Sequence, residues 1–381
     1  MSELVLAGGR IVTPGGVVVG DMVIRDGRIA SMEPARRDRP AAVDAREHWV
    51  LPGFIDIHVH GGGGAQCNTS EPDEIRAVAR FHAQHGTTAL LATTVAAGPD
   101  ELLAALGAIG RAADASDGAR VLGAHLEGPW LNPDRPGAMD AGAFTAPDVE
   151  LLRRFAAAGP LRSMTLAPEL PGALDVVGAL RRAGALASLG HTDATYEQAA
   201  AAVAAGARAA THAFNAMRPL HHREPGMVGA ALALDDLTCE VICDGVHVHP
   251  AAVRLLHRAK GATRAVLITD AIAAAGKADG EYRLGSRPVT VRDGRATLPG
   301  TDTLAGSVLT MDRAVRTAVQ RCGVPLEDAA RMAATTPAEL LGLDDRIGVL
   351  APGRDADVAI LDGDLELAGV VVRGEWAMRR G

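Results

Sequence analysis

The chain has few aromatic side chains and no long basic run. Phenylalanine, tyrosine and tryptophan account for 3% of its 381 residues, and 38 basic residues face 46 acidic ones, for a formal net charge of −8. Proteins that bind nucleic acids use clustered lysine and arginine for the phosphates and often aromatic rings for stacking on bases. We therefore expect no nucleic-acid partner, and the acidic balance favours solubility.

Long apolar runs are also absent from the sequence. A membrane-spanning helix needs about 18 or more consecutive apolar residues, and no such run occurs. The first residues, MSELVLAGGRIV, do not combine a basic segment with a long apolar one, as a secretory signal does. We expect no membrane association and a soluble, cytoplasmic protein.

Cysteine is scarce, and its spacing is not that of a metal or redox motif. The four cysteines, Cys67, Cys239, Cys243 and Cys322, form no C-x-x-C pair. Cys239 and Cys243 lie four apart in TCEVICDG, where strand alternation would place both on one side. They could form a metal pair, but the pattern favours small buried thiols in a reducing compartment.

Both ends of the chain have the pattern of short β-strands. Apolar alternation broken by glycine turns occurs in ELVLAGGRIVTPGG near the start and in GVLAPGRDADVAILDGD near the end. The two ends surround a long centre of different character. We therefore predict one small β-sandwich domain formed by both termini, from residues 1–52 and 346–381.

The centre, residues 53–345, alternates short apolar segments with alanine-rich helical ones. Continuous apolar strands joined by helices are typical of a parallel sheet buried on both faces. The predicted strands are FIDIHVH, TALLATTV, ARVLGAHLE, RSMTLAPE, ALASLGHT, ARAATHAF, TCEVICD and RAVLITDA. Eight such units predict an α/β fold, a (β/α)8 TIM-type barrel, with its chemistry at the carboxyl ends of the strands. The step from the sixth to the seventh strand is the least regular, and GEYRLGSRPVTVRDGRATLPG after the eighth predicts a hairpin.

Polar residues stand at the carboxyl ends of most of these strands. Each alone has a simple explanation, because a histidine there often forms structural hydrogen bonds and an acid often caps a helix. They are His58 and His60 (first strand), Glu127 (third), His191 (fifth), His212 (sixth), Asp244 followed by His247 (seventh) and Asp270 (eighth). A barrel would bring them to one rim, where buried carboxylates and imidazoles without compensation would be unfavourable. A divalent cation removes that cost, so we predict a metal site.

The pair His58 and His60 supports the metal interpretation. Residues two apart on a strand project from the same face, and the four glycines that follow allow backbone and substrate to approach. Nitrogen and oxygen ligands suit zinc or iron. A metal with an open position lowers the pKa of water to about 7, and Asp270 could take and return the proton. The pattern predicts hydrolysis of an amide or similar bond, and no G-x-S-x-G motif competes with it.

Several motifs resemble those of the amidohydrolase superfamily. PGFIDIHVHG is similar to its first-strand HxH motif, and GVLAPGRDADVAIL to its return to the β domain. Within that superfamily the chain resembles the N-acetylglucosamine-6-phosphate deacetylase family, through HLEGPWLNP, TLAPE, GHTDATYEQ, THAFNAM, REPGMVGA, CDGVHV, LITDA and AGSVLTM. These motifs occur in order along nearly the whole chain. The resemblance implies hydrolysis of N-acetyl-D-glucosamine 6-phosphate to D-glucosamine 6-phosphate and acetate, in amino-sugar catabolism or recycling.

The resemblance also implies roles for individual residues. It implies Glu127, His191 and His212 as ligands of the principal metal, Asp270 as catalytic acid/base, His247 as a sugar contact, Asn215 and Ala216 as donors to the phosphate, and Arg223 as a phosphate ligand from the neighbouring subunit of a homodimer. An arginine fork suits a phosphate dianion. Without the resemblance, Arg223 could equally be a solvated loop cation.

Two features leave alternatives open. Some family members lack the HxH pair and use one metal, whereas His58 and His60 are both present here, so that one or two ions can be expected. Met139 stands in RPGAMD, where a substrate-binding histidine is common, and a thioether cannot donate a hydrogen bond. N-acetylgalactosamine-6-phosphate deacetylase or another N-acyl amidohydrolase activity therefore stays open. A non-catalytic scaffold is disfavoured, since such proteins usually lose metal ligands and this chain has each one that can be placed.

Overall fold

The structure, a computed structural model, describes residues 3–36, 43–113 and 117–380. The strands among these residues, in chain order, are β1 Glu3–Thr13, β2 Gly16–Arg25, β3 Arg28–Pro34, β4 Val43–Asp44, β5 Trp49–Pro52, β6 Phe54–Val59, β7 Gly61–Gly62, β8 Ala65–Gln66, β9 Thr87–Thr94, β10 Arg120–Glu127, β11 Leu161–Leu166, β12 Leu186–Leu189, β13 Ala209–Ala210, β14 Thr238–Ile242, β15 Ala265–Ile268, β16 Gly280–Leu284, β17 Arg287–Arg292, β18 Arg295–Thr297, β19 Val358–Leu361, β20 Leu367–Val372 and β21 Glu375–Arg379.

The helices lie mainly between the central strands. They are α1 Pro72–Ala83, α2 Pro99–Ala113, α3 Val149–Ala158, α4 Ala173–Arg182, α5 Tyr196–Ala205, α6 Gly226–Ala233, α7 Pro250–Lys260, α8 Met311–Gln320, α9 Leu326–Ala330 and α10 Thr336–Leu340. A single 3-10 turn spans Ala141–Ala143, and a π-helical turn, Arg331–Thr335, joins the last two helices.

Eight parallel strands form the barrel. Their spatial order, β6-β9-β10-β11-β12-β13-β14-β15, follows the chain. The last and first strands meet where the backbone N–H of Asp270 donates to the carbonyl of His58 over 2.9 Å and the Thr269 hydroxyl donates to Asp56 over 2.5 Å. The predicted (β/α)8 barrel is confirmed, and its irregular step is β13, which has only two residues.

The barrel strands form because their apolar residues can be buried on both faces. Every residue of β9, TTALLATT, is buried between the barrel interior and the surrounding helices. The helices are amphipathic: α1, for example, buries Ile75, Val78 and Ala79 and exposes its charged residues. This packing fixes the carboxyl ends of the strands at one rim.

Strands from both ends of the chain share a second sheet. Its order is β21-β20-β19-β5-β1-β2-β3, with β4 beside β1, and its own apolar core includes Leu6, Met22 and Val358. The prediction of a small β domain built from both termini is confirmed. The division of the chain at residues 52 and 346 stays a prediction.

The insertion after the eighth barrel strand is larger than predicted. It is a three-stranded antiparallel sheet, β16-β17-β18, where the sequence predicted a hairpin. The short third strand, Arg295–Thr297, has too few residues to show an alternation pattern. The sheet packs toward the barrel rim through Leu284.

Two further predictions concern cysteine and membranes. All four cysteines are free and buried, as predicted, and the sulfur atoms of Cys243 and Cys322 lie 3.7 Å apart. Among the described residues, none of the helices has the length and apolar character needed to cross a membrane.

Candidate metal centre

Six ionisable side chains meet at the carboxyl ends of the barrel strands. His58 and His60 come from the end of β6, Glu127 ends β10, and His191, His212 and Asp270 follow β12, β13 and β15. The most exposed of them, Asp270, has 7% of its surface accessible. The barrel thus brings together residues spread over two hundred positions, as the sequence predicted.

Three of these residues have a backbone conformation that is rare outside glycine. The φ angles of His191, His212 and Asp270 are +47°, +31° and +50°. Such left-handed conformations are unfavourable for L-residues and persist only where the surrounding structure holds them, as it often does at functional sites. Here they turn the chain sharply as it leaves the strand, at the point where the side chain joins the cluster.

Glu127 is the centre of the cluster. Its Oε1 lies 3.1 Å from Nε2 of His191 and 2.9 Å from Nε2 of His212. Its Oε2 lies 3.2 Å from Nε2 of His60 and 3.6 Å from Nε2 of His58. One carboxylate therefore faces two histidine pairs, one with each oxygen.

Asp270 lies on the side of the first histidine pair. Its Oδ1 is 3.1 Å from Nε2 of His60 and 3.5 Å from Nε2 of His58. Two groups of residues could hold a metal ion: His58, His60 and Glu127, and Glu127, His191 and His212. Glu127 belongs to both groups.

The hydrogen bonds of the outer imidazole nitrogens favour metal binding by the inner ones. The Nδ1 atom of His58 lies 3.1 Å from the carboxylate of Glu240. The Nδ1 atoms of His60 and His191 lie 3.2 Å from the carbonyl oxygen of Thr93 and 2.9 Å from that of Arg135, respectively. These oxygens can only accept, so each Nδ1 carries the proton and each Nε2 has a free lone pair when the ring is neutral.

The Nε2 atoms of each histidine pair lie close together. The Nε2 atoms of His58 and His60 are 3.2 Å apart, and those of His191 and His212 are also 3.2 Å apart. Two neutral acceptors at this distance repel unless a proton or a cation lies between them. The buried donor set of imidazole nitrogens and carboxylate oxygens is one that suits a divalent cation of the first transition row.

The charges of the cluster are strongly coupled. Burial alone would lower the pKa of His58, but the carboxylates of Glu127 and Asp270 raise it well above its usual value. Burial would likewise raise the pKa values of both carboxyls, but the imidazoles hold that of Glu127 well below its usual value and that of Asp270 at about 2. Both acids are therefore ionised at neutral pH, and positive charge must balance them.

A cavity of about 320 Å³ lies above the cluster. The predicted substrate contacts Met139, Asn215, Ala216 and His247 all line it, together with Leu284 and Asp302 from the insertion and the loop after it. Arg223 does not line it. This arginine lies in an exposed loop, where its Nη1 is 2.7 Å from Nε2 of His222.

Asp244 and Asn215 mainly hold other groups in place. Asp244 accepts hydrogen bonds from the backbone of Val246 and His247, both 2.8 Å long, and its Oδ2 is 2.7 Å from Nδ1 of His247. It thus orients His247 toward the cavity and lies outside the metal cluster. The Asn215 amide donates to the carbonyls of His212 and Ala213 over 3.0 and 3.3 Å, so that a substrate must compete for it.

The glycines that follow β6 pack closely against neighbouring backbone. A Cβ on Gly61 would lie 2.5 Å from the carbonyl oxygen of Ala65 and 2.8 Å from the backbone nitrogen of Ala273. The glycine nitrogens at 61 and 64 instead donate to the carbonyls of Ala271 and Ala273, both over 2.8 Å. None of the four glycines lines the cavity above the cluster. The close backbone approach at these glycines is therefore confirmed, whereas the approach of a substrate to them stays a prediction.

Sequence reasoning missed two residues beneath the cluster. Glu240 and His125 are fully buried. The carboxylate of Glu240 contacts Nδ1 of His58, and the ring centroid of His125 is 4.7 Å from that of His58. His125 precedes Glu127 by two residues on β10, the spacing that identified His58 and His60. Glu240 could have been found as the single acid in an otherwise uncharged strand.

The model of the amidohydrolase family matches residues 49–377. The chain belongs to the amidohydrolase family. Proteins of this family are generally metal-dependent, and the two residue groups around Glu127 offer the ligands that such chemistry needs. The family resemblance predicted from the motifs is confirmed.

This amidohydrolase is similar over nearly its whole length to deacetylases of phosphorylated amino sugars. The N-acetylglucosamine-6-phosphate deacetylase of Bacillus subtilis is 38% identical over 377 residues, which cover 96% of this chain and 95% of the relative. The N-acetylgalactosamine-6-phosphate deacetylase of Escherichia coli O157:H7 is 40% identical over 358 residues, 93% of each chain. A solved structure, a mutant of the N-acetyl-D-glucosamine-6-phosphate deacetylase of Mycobacterium smegmatis in complex with N-acetyl-D-glucosamine-6-phosphate, has a TM-score of 0.94 and 40% identity, covering 99% of this chain and 100% of that one.

Proposed function

We propose that this amidohydrolase hydrolyses the acetamide bond of N-acetyl-D-glucosamine 6-phosphate to D-glucosamine 6-phosphate and acetate, in cytoplasmic amino-sugar catabolism or recycling. The observation that carries the proposal is the cluster around Glu127 at the floor of a cavity of about 320 Å³, a volume suited to a small ligand. Near-full-length similarity to deacetylases of phosphorylated amino sugars supports the substrate class. The complete ligand set argues against a non-catalytic scaffold.

The cofactor we propose is zinc or iron, with one or two ions in each subunit. Glu127, His191 and His212 would hold the principal ion, and His58, His60 and Glu127 a second one. Such an ion polarises a carbonyl group and lowers the pKa of water. The second group supports two ions, because both its histidines face Oε2 of Glu127, the oxygen that the first group does not use.

Asp270 is our candidate for the catalytic acid/base. Its carboxylate lines the cavity and is ionised at neutral pH, since its pKa lies at about 2. It can therefore accept a proton from the attacking water. Returning that proton to the amide nitrogen would release the amine as the carbon–nitrogen bond breaks.

Recognition of the phosphate needs a cation from outside the cavity. Among the described residues, no lysine or arginine lines the cavity, whereas Glu127, Asp270 and Asp302 contribute acidic groups. The exposed Arg223 is free to reach the corresponding cavity of another subunit, and its guanidinium can bind two phosphate oxygens at once. We therefore propose a homodimer in which each subunit completes the site of its partner.

The function is tested by measuring released acetate from three compounds. We expect kcat/KM to be highest for N-acetyl-D-glucosamine 6-phosphate and much lower for unphosphorylated N-acetylglucosamine, which lacks the anchored phosphate. A clear preference for N-acetylgalactosamine 6-phosphate would instead favour the second candidate, which the similarity to the Escherichia coli enzyme and the presence of Met139 in the cavity support. Equal activity on the unphosphorylated sugar would contradict both.

A further inference from the structure

Glu240 is a buried acid that the proposed mechanism does not use. It lies on β14, Thr238–Ile242, and none of its surface is exposed. Burying an acid in a barrel interior is unfavourable unless specific partners stabilise it. Among the described residues, no lysine or arginine forms an ion pair with it. Its partners are therefore to be sought in the cluster above it.

One oxygen of Glu240 touches both halves of the metal cluster. Its Oε2 is 3.1 Å from Nδ1 of His58 and 3.2 Å from the backbone nitrogen of His212. The first is a side chain of the His58 group, and the second is the backbone of a residue in the His191 group. The carbonyl oxygen of Glu240 also accepts a hydrogen bond from the backbone of Ala213, over 2.8 Å.

The other oxygen, Oε1, is buried with no hydrogen-bond partner among the described residues. An unpaired buried oxygen lowers stability. Packing alone therefore does not explain an acid at this position. In the described part of the chain, its one side-chain partner is the imidazole of His58. This points to a role in the chemistry of that imidazole.

His58 differs from the other histidines of the cluster in the partner of its outer nitrogen. The Nδ1 atoms of His60 and His191 each face the backbone carbonyl of another residue. The Nδ1 atom of His212 has no hydrogen-bond partner among the described residues. Of the four histidines of the cluster, only His58 has its Nδ1 against a carboxylate. Such a carboxylate fixes the imidazole tautomer and makes the opposite nitrogen a stronger ligand, typically by 10- to 100-fold in metal affinity.

We infer that Glu240 is a positioning residue that holds His58 with its proton on Nδ1 and its Nε2 directed at Glu127, so that the group of His58, His60 and Glu127 retains a cation. The inference rests on the proposed function only in that the cluster binds metal. It distinguishes the two groups: Glu240 contacts the imidazole of a ligand in the His58 group, whereas in the His191 group it accepts a hydrogen bond only from the backbone of His212, so the affinity of the His58 group depends on it more strongly.

The test uses the full-length Glu240→Gln variant. Glutamine keeps the shape and one accepting oxygen, so the fold and the hydrogen bond from His212 are retained, but the negative charge beside His58 is lost. Zinc occupancy of each group is measured by anomalous diffraction, and zinc affinity by titration against a competing chelator. We expect binding at the His58 group to weaken about 10- to 100-fold and binding at the His191 group to stay within about threefold.

Two further variants serve as controls. Asp328→Asn alters another carboxylate–histidine pair, since Asp328 Oδ2 is 2.8 Å from Nε2 of His257 on the outer helices, and it should bind zinc like the parent chain. Glu240→Leu replaces the acid with an apolar side chain that can pack in the barrel. If Glu240→Gln were to unfold, the leucine variant would carry the test, with an expected loss at least as large.

The outcomes separate this inference from the proposed function. Zinc in both groups of the parent chain and unchanged affinity in Glu240→Gln would overturn the role of Glu240 and leave the proposed hydrolysis intact. Zinc in the His191 group alone, even in the parent chain, would also overturn it. If the parent chain takes up no metal in either group, the proposed metal-dependent hydrolysis itself fails.

Discussion

At the scale of single residues, Glu127 organises the site by using its two oxygens differently. One oxygen faces His191 and His212, and the other faces His58 and His60. Asp270 then stands beside the second pair, with its Oδ1 3.1 Å from His60, where it also lines the cavity. This arrangement separates a carboxylate that can bridge ions from one that can move a proton.

The Asp270→Asn variant should slow turnover by ~10²-fold or more, because general acid–base groups contribute about that much to catalysis. An amide neither accepts the proton of the attacking water nor returns it to the leaving amine. Folding and metal content should stay nearly unchanged, since the principal ligand group of Glu127, His191 and His212 is intact. The measurement is kcat for acetate release, with metal content determined on the same sample.

Asp312→Asn is the matched control for this variant. Asp312 is a partly buried acid beside a histidine, with its Oδ2 3.6 Å from Nδ1 of His85, but it does not line the cavity. Its substitution should leave kcat within about twofold. Near-normal turnover in Asp270→Asn would rule out the assigned role of that residue.

At the scale of elements, the loops that line the cavity are tied together by one aspartate. Asp193, after β12, accepts hydrogen bonds from Arg135 over 2.9 and 2.6 Å and from Arg218 over 3.3 and 2.7 Å. Arg135 belongs to the loop that carries Met139, and Arg218 follows the loop of Asn215. The three side chains are partly exposed, so the clamp orders the loops more than it stabilises the fold.

The Asp193→Ala variant should raise KM about fivefold, because about 1 kcal/mol of loop ordering would then be lost on substrate binding. The turnover number should change less, since Asp270 and the metal ligands are not displaced. Steady-state kinetics of acetate release measure both quantities. The control is Glu150→Ala, which removes the exposed pair with Arg153 on α3 and should have no effect. If Asp193→Ala kept the KM of the parent chain, the clamp would not order the cavity.

How far the sequence predicted the elements depends on their length and burial. Long apolar strands such as β9 and β10 and amphipathic helices such as α1 were evident, because burial imposes a regular pattern on each. Of the predicted sixth strand, ARAATHAF, only Ala209–Ala210 forms β13, and the third strand of the insertion, β18, is too short to show any pattern. They exist because neighbouring strands supply their hydrogen bonds.

The same contrast holds within the site. His58, His60, Glu127, His191, His212 and Asp270 could be predicted to meet, because each ends a strand and parallel strands end at one rim. Glu240 could be singled out as the one acid of β14, but its role could not be predicted, since that role depends on which face of β14 points into the barrel and on a contact with His58, 182 positions earlier in the chain. Whether Arg223 acts in its own subunit or in the neighbouring one also could not be decided from the chain alone.

At the scale of the whole molecule, a partly buried ion pair joins the terminal sheet to the barrel. Arg120, at the start of β10, binds Asp355 at 2.7 Å and also contacts Asp357, both of which precede β19. Arg346 binds the same carboxylate of Asp355 at 2.9 Å. These contacts hold the two sheets together near the end of the barrel opposite the cluster, since β10 begins at Arg120 and ends at Glu127.

The Asp355→Asn variant should lower the free energy of unfolding by about 2 kcal/mol at neutral pH, because hydrogen bonds to buried charged groups contribute about that much. Turnover should be unchanged, since this pair lies far from the catalytic rim. Chemical denaturation measures the difference. Glu3→Gln, which affects the exposed pair with Arg25 in the same sheet, should change stability by less than about 0.5 kcal/mol.

The effect of Asp355→Asn should depend on pH. Burial alone would raise the pKa of Asp355, but its hydrogen bond with Arg120 lowers it below the usual value of 3.8. An acid with a lowered folded-state pKa stabilises the fold above its unfolded-state pKa and loses this contribution as the pH falls through the folded-state value. The difference between parent and variant should therefore be constant near neutral pH and shrink below about pH 4. A difference that grows on acidification would contradict the assignment.

Arg223→Ala should raise KM for the phosphorylated sugar by about 10- to 100-fold and leave kcat nearly unchanged, because a ground-state phosphate contact would be lost. Steady-state kinetics measure the effect, and Arg153→Ala, another exposed arginine, is the control. If Arg223 acts on the neighbouring subunit, mixing Arg223→Ala with Asp270→Asn should restore some sites with normal KM, since one mixed site has neither defect. A fall in kcat alone would show that Arg223 is not a phosphate anchor.

The central claim is that the cluster around Glu127 binds the cation that this hydrolysis requires. The most direct measurement is a zinc titration of chelator-treated protein, with acetate release from N-acetyl-D-glucosamine 6-phosphate followed at each addition. We predict no activity without metal and full recovery at one or two zinc ions per chain, the capacity of the two groups. Full activity in protein shown to be free of metal, or none after both groups are filled, would contradict the account.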